Sequence, residues 1–167
     1  KDVLKLIRNL RKEKLAILTN ASLINEKMVR KNLVGFDKVI AKLDAASEDI
    51  FRKIGHPARG IYLKDILQGL KEFRKDFSGK FALQLMFIKE NIAQAARLAD
   101  IAFKINPDEI YINTPLRPCA VRPLDRRELK GISAYFKGLP AICVYDVKKK
   151  SLRPLNIKDT LKRRSSI

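Results

Sequence analysis

The chain has 167 residues, 46% of them hydrophobic and 32% charged, and its 36 Lys and Arg against 18 Asp and Glu give a formal charge of +18. That length and apolar content suit one domain with its own core and exclude a disordered chain. No apolar run reaches the roughly 20 residues that span a bilayer and no signal-peptide pattern is visible, so no membrane association is expected. The positive field attracts polyanions, nucleic acid being the commonest, although a solvated basic surface would produce the same number. Cys119 and Cys143 form no CxxC pair and imply no disulfide framework, which points to a reducing, cytoplasmic compartment. His56 is the only histidine, so neither a zinc site nor a Cys-His nucleophile can be assembled.

Val3, Leu4, Ile7 and Leu10 fall at helical spacing over residues 2 to 13. Leu15 to Leu18 is an apolar run of strand length, and Glu26 to Leu33 a short helix that Gly35 breaks. Lys38 to Leu43 reads as a strand, and Ser47 as the N-cap of the helix that follows. Gly55, Pro57 and Gly60 make a loop. Leu63, Ile66, Leu67, Leu70, Phe73 and Phe77 mark the strongest helix, ended by Ser78 and Gly79. Phe81 to Ile88 is the next strand. Ile92, Ala95, Leu98, Ala102 and Ile105 form a helix face that Asn106 and Pro107 stop. A strand at Glu109 to Ile112 runs into the proline-stiffened loop Asn113-Thr-Pro-Leu-Arg117. Asp125 and Glu128 have the spacing of a capping box ahead of Leu129, Ile132 and Phe136. Ala141 to Tyr145 closes the series as an edge strand, with a helical turn or two expected over 156 to 163.

Strands alternating with helices imply right-handed crossovers and a mainly parallel α/β sheet. The strands read as apolar throughout, so helices are expected on both sheet faces. Five strands are too few for a closed barrel, which needs eight strand-helix units. The sheet is therefore an open doubly wound one or part of a (β/α) barrel of TIM type. The chain starts with Lys1 and in a helix, as expected of something processed or cut from a longer protein. Three strands deliver polar residues at their C-terminal ends, at Thr19 and Asn20, at Asp44, and at Asn113 and Thr114. Ligands bind on that rim in parallel α/β folds.

Five ordered segments carry a family resemblance over roughly residues 1 to 137. They are Leu18-Thr-Asn-Ala-Ser-Leu23, Lys42-Leu-Asp-Ala45, Phe51-Arg-Lys-Ile54, Ile66-Leu-Gln-Gly-Leu-Lys-Glu-Phe-Arg74 and Ile112-Asn-Thr-Pro-Leu-Arg-Pro118. The set resembles the later part of radical S-adenosylmethionine enzymes, in the branch related to tRNA wyosine synthesis. The family's CxxxCxxC, whose thiolates hold a 4Fe-4S cluster, is absent, as is its glycine-rich segment ending in Glu. Both would lie before Lys1. The family's serine before Leu-Asp-Ala is Lys42 here, and its Asn-Arg-Pro is Gly55-His56-Pro57.

The resemblance implies a fold, cofactors and site residues. The fold is a partial (β/α) barrel over 1 to 146, with 147 to 167 a basic C-terminal extension containing Lys148 to Arg153 and Lys162 to Arg164. The cofactors are S-adenosylmethionine and a 4Fe-4S cluster ligated outside this chain. The cofactor-binding candidates are Thr19, Asn20, Lys42, Asp44, Gln84, Asn113 and Thr114. The resemblance puts Asn113 and Thr114 near the cofactor's adenine, with backbone atoms doing as much of that work as side chains; the others each have a structural alternative. Thr19, Asn20 and Ser22 suit a turn and helix cap. Asp44 complements a helix dipole. Lys42 snorkels at the rim or pairs a carboxylate or phosphate. Gln84 and Met86 share a strand face, where neighbouring backbone satisfies Gln84 as readily as a ligand does. Asn91 suits a cap, Arg117 a phosphate or a nearby carboxylate, and Cys119 a packing position.

The intact protein is then expected to cleave S-adenosylmethionine reductively to a 5′-deoxyadenosyl radical that abstracts hydrogen from a substrate, for which the charge suggests an RNA. A ferredoxin or flavodoxin would donate the electron. The isolated chain would be inactive and, with open sheet edges, prone to self-association. The competing expectation is a non-catalytic basic module that binds nucleic acid or scaffolds a partner.

Overall fold

Alternating short apolar runs and amphipathic stretches produce a single five-stranded parallel sheet with helices packed against it. The computed structural model describes residues 2–10, 12–117 and 119–147. Residues 148–167, which hold the basic runs of the extension and its expected helical turns, lie outside them. The elements are α1 (Asp2–Leu10), β1 (Ala16–Thr19), α2 (Lys27–Leu33), β2 (Lys38–Lys42), α3 (Glu48–Gly55), α4 (Leu63–Asp76), β3 (Lys80–Met86), α5 (Ala95–Ile105, entered through a 3-10 turn at Ile92–Gln94), β4 (Glu109–Asn113), α6 (Arg126–Ala134) and β5 (Ala141–Cys143).

The strands lie in the order β1-β2-β3-β4-β5, each parallel to its neighbour. A doubly wound sheet reverses its order at a switch point. This one never does, so it has the topology of consecutive barrel strands.

One expectation is overturned. The strands are not apolar throughout, and the sheet is not covered on both faces. Val39, Ala41, Phe81, Leu83, Leu85, Ile110, Ile112 and Cys143 form one core with Ile66, Leu70 and Phe73 of α4, Leu98 and Ala102 of α5, and Leu129 and Ile132 of α6. Side chains of the opposite parity share the other, inner face: Lys38, Ile40 and Lys42 of β2, Gln84 and Met86 of β3, and Glu109, Tyr111 and Asn113 of β4, all half-buried. Ala82, though 0% exposed, belongs to that face and stands outside the helix-side core. Alternation of this kind is the signature of a sheet covered on one side.

Local chemistry explains where elements begin and end. The Asp125 carboxylate accepts from Glu128 N–H, and the Glu128 carboxylate accepts from Asp125 N–H, which completes the expected capping box. Asn106 takes the left-handed conformation (φ 55°) that ends α5. Ser47 does stand at the N-cap of α3, but its side chain makes no capping bond. Its hydroxyl instead accepts from Gln94 Nε2 at 2.5 Å. Gly69 lets α4 press onto the turn at Ile24 and Asn25, where a Cβ would come within 2.5 Å of the Asn25 nitrogen. Among the described residues no helix is long and apolar enough to cross a membrane.

Candidate cofactor and ligand site

The parallel ladder sets the inner face in rows. Lys38 is level with Lys80, Ala82 with Glu109, Lys42 with Gln84, Gln84 with Tyr111, and Met86 with Asn113. Near the N-terminal ends of the strands the face carries a charged cluster that the sequence reading missed. Lys38 Nζ donates to Glu109 at 2.6 Å and to the Tyr111 hydroxyl at 2.7 Å, and Lys80 and Tyr111 also bond to Glu109. Hydrogen bonds from Lys38, Lys80 and Tyr111 hold the Glu109 carboxyl at a pKa of about 2. Lys38 is shifted upward: burial opposes its charge, but the bonds to Glu109 and Tyr111 outweigh that. The missed signal was Glu109 and Tyr111 at period two, with Lys38 and Lys80 at the heads of neighbouring strands, in a sheet read as apolar.

At the C-terminal ends of the strands the seven candidate residues divide into three settings. Asn20, Lys42 and Asp44 line a cavity of about 290 Å³, roofed by the loop from Ile54 to Ile61. Thr19 precedes them, with its hydroxyl accepting from Ala21 N–H at 3.1 Å. Asn20 Oδ1 accepts from both the amide and the hydroxyl of Ser22, which forms a local turn. Gln84 and Asn113 stand on the open inner face, and their side chains make no hydrogen bonds among the described residues, which leaves that capacity to water or a ligand. Thr114 is turned inward: it is buried, and its hydroxyl accepts from Leu124 N–H at 2.8 Å, tying down the loop after β4.

Asp44 is the most constrained group of the set. Its Oδ1 accepts from Met86 N–H at 2.8 Å, and its Oδ2 lies 3.3 Å from Lys42 Nζ. The carboxylate thereby continues the β2–β3 ladder past the end of β2. Burial raises its pKa, and the Lys42 charge and the Met86 bond offset this only in part. Behind it sits Asn91, 0% exposed. Asn91 Nδ2 donates to the carbonyls of Asp44 at 2.7 Å and Met86 at 2.9 Å, while Oδ1 accepts from Ile88 N–H. Asn91 therefore clamps two strand ends and makes no side-chain capping bond. Gln94 extends the clamp: its Oε1 accepts from Ala46 N–H at 2.7 Å. Asn91, Gln94 and Thr114 are the buried polar side chains among the described residues, and all three act at this rim. Buried amides must find partners, so such a set fixes the loops it bonds.

Arg117 is exposed and forms no ion pair among the described residues, so no nearby carboxylate holds it. Cys119 is also exposed, with its thiol against the Val121 carbonyl at 3.3 Å, so it is not a packing residue; Cys143 is. The two cysteines do not fit an iron-sulfur cluster, and no group of three His, Cys, Asp or Glu among the described residues suits a metal ion. Gln84 and Asn113 keep uncommitted side-chain amides beside the ionisable rim.

No protein-family model matches the chain. A UPF0026 protein of Synechocystis is 34% identical over 131 residues, covering 78% of this chain and 48% of that protein. The chain thus spans less than half the length of this relative. A domain of pyruvate-formate lyase-activating enzyme from Bacteroides vulgatus superposes with a TM-score of 0.63 at 14% identity, over 85% of this chain and 87% of that one. A radical SAM methyltransferase from Sphaerobacter thermophilus gives 0.60 at 14% identity, over 77% and 39%. The five-stranded parallel α/β sheet is the fold this chain shares with both structures.

Proposed function

We propose that this chain is the later part of the barrel of a radical S-adenosylmethionine enzyme and provides a wall of its cofactor site. The observation that carries the reading is the inner face, polar from Gln84 to Asn113 and ending in a clamped, ionisable rim, on a fold shared with a radical SAM methyltransferase. The ordered motif set supports it, since the segments at Leu18–Leu23, Lys42–Ala45 and Ile112–Arg117 all meet at that rim.

In this reading Gln84 and Asn113 bind and orient the cofactor, while Lys42 and Asp44 set the charge at its edge. Thr114 holds the loop after β4, and Thr19 and Asn20 shape the turn after β1. When bound with a 4Fe-4S cluster, the cofactor supplies hydrogen-abstracting radical chemistry. The cluster ligands belong to sequence outside this chain. The protein's part is orientation and exclusion of water. The wyosine-related branch, a ferredoxin or flavodoxin as electron donor, and an RNA substrate drawn by the +18 charge complete the proposal.

The test begins with the gene. An in-frame CxxxCxxC is expected within roughly one hundred residues upstream of Lys1, the span of the strand-helix units a full barrel still needs. Anaerobic iron-sulfide reconstitution of the full-length protein should then yield 5′-deoxyadenosine under reduction. Gln84→Ala together with Asn113→Ala should weaken S-adenosylmethionine binding by about tenfold or more. A start codon directly before Lys1 without that motif would sink the enzymatic reading and leave a basic scaffold or nucleic-acid-binding module.

A further inference from the structure

At the end of the strands opposite the candidate cofactor rim lies a cleft of about 600 Å³, within the ~300 to ~1,000 Å³ of ligand cavities. None of the seven cofactor candidates lines it. It opens where three strands begin, between Leu15, Asp37 and the turn at Ser78 and Gly79, with Arg8 of α1 beside them.

Asp37 builds its floor. The carboxylate accepts from Leu15 N–H at 2.6 Å and from Arg8 Nη2 at 2.8 Å, and the Asp37 carbonyl accepts from Lys80 N–H at 2.9 Å. One residue thereby joins the starts of β1, β2 and β3. Gly79 lies so close that an added Cβ would stand 2.9 Å from the Asp37 carbonyl oxygen. The bond from Leu15 holds the Asp37 pKa below its ordinary value, and the charges of Arg8 and Lys14 add to that effect. The carboxylate is charged at neutral pH and committed to the fold.

The cations exceed what this floor requires. Arg8, Lys14, Lys38 and Lys80 line the cleft against Asp37 alone. Lys38 and Lys80 share one carboxylate, Glu109, on the inner face. Four cations thus face two carboxylates, and Lys14 is exposed and forms no ion pair among the described residues. Helices α2 and α4, which end beside the cleft, already carry Arg30, Lys31, Arg74 and Lys75 in their last turns. Helix dipoles therefore do not account for Lys14, Lys38 and Lys80. The amides of Ser78 and Gly79 donate to no acceptor among the described residues, so the turn offers two N–H groups next to these cations.

Such a set selects its ligand. An excess of two positive charges matches a phosphate dianion, whose terminal oxygens take up more donors than a carboxylate can. The cleft is larger than that ion, and Leu15, Val34 and Phe36 give it an apolar wall on which Val34 is 45% exposed. That wall is a surface for the organic part of an ester. We propose that this cleft binds a small organic phosphate, its phosphate group taken by Arg8, Lys14 and the Ser78 and Gly79 amides, and its apolar body set against Val34 and Phe36. The site goes beyond the radical-enzyme reading and does not depend on it.

The experiment is calorimetric titration of the full-length protein at physiological salt with phenyl phosphate, inorganic phosphate and phenol. Phenyl phosphate should bind one per chain, inorganic phosphate about tenfold or more weakly for want of the apolar body, and phenol not at all. Lys14→Gln, whose fold a thermal melt checks, should weaken phenyl phosphate by about tenfold or more. Lys130→Gln, the same charge change on α6, should leave it unchanged. Bound phenyl phosphate should also slow hydrogen exchange at the Ser78 and Gly79 amides. Absence of phenyl phosphate binding, or equal affinity for phenyl and inorganic phosphate, overturns the proposal. Equal losses from Lys14→Gln and Lys130→Gln overturn it by reducing the effect to attraction by a basic surface. One-for-one displacement of phenyl phosphate by an RNA oligonucleotide overturns it too and gives the cleft to a nucleic-acid backbone.

Discussion

Two carboxylates show how position on one sheet sets opposite chemistry. Glu109 accepts from Lys38, Lys80 and Tyr111, and its pKa falls to about 2. A depressed folded-state pKa means that the unfolded chain binds the proton more readily. The stabilisation is therefore complete above the ordinary carboxylate value of 4.5 and is lost as pH falls from there towards about 2. Glu109→Gln should cost about 1–2 kcal/mol at neutral pH and flatten that acid limb, as read from urea midpoints against pH. Asp44 runs the other way. Burial raises its pKa, so the native state holds the proton longer, and stability declines as pH rises through the window between the unfolded and folded values. Asp44→Asn keeps an acceptor for Met86 N–H and removes the buried charge. It should leave neutral-pH stability unchanged or raise it by up to about 1 kcal/mol while impairing binding. A loss above about 1 kcal/mol in the same urea series would mean that the carboxylate serves the fold alone.

Elements meet at positions where one residue decides the fit. Gly69 of α4 lies against backbone that cannot step aside, since an added Cβ would approach the Ile24 carbonyl carbon to 2.6 Å. Gly69→Ala should therefore destabilise by about 1–3 kcal/mol, whereas the same change at Gly131, which has open space around it, should raise helix propensity and stability by a fraction of that. Thermal melts of the pair separate close approach from propensity. Asn91 joins the ends of β2 and β3, and its loss leaves two carbonyls and an amide without their partner. Asn91→Ala should cost about 2–3 kcal/mol in chemical denaturation and raise amide exchange at Ile88.

At the scale of the molecule, charge and covering matter most. With 36 basic residues against 18 acidic ones, binding to a generic RNA oligonucleotide should weaken by about 100-fold or more between 50 and 200 mM salt if several phosphates are engaged, as measured by fluorescence anisotropy. A flat response would remove RNA from the proposed partners. Leu18, 56% exposed on β1, and Ile142 on β5 mark the apolar margins of the uncovered inner face. The sequence by itself determined the element series, the parallel sheet and the capping box, because periodicity, Gly and Pro punctuation and cap chemistry act over a few neighbouring residues. It also put Thr19, Asn20, Asp44, Asn113 and Thr114 at the C-terminal ends of strands, which converge in a parallel sheet. Only the tertiary structure decided what each does there: Thr114 turned inward onto Leu124, Asp44 clamped by Asn91, Gln84 left open, and Ser47 bonded to Gln94 rather than to its own helix. Those outcomes rest on hydrogen bonds between residues more than forty positions apart in two cases and ten in another, and on which sheet face the helices cover. Register and packing set such pairings, and no local pattern in the chain encodes them.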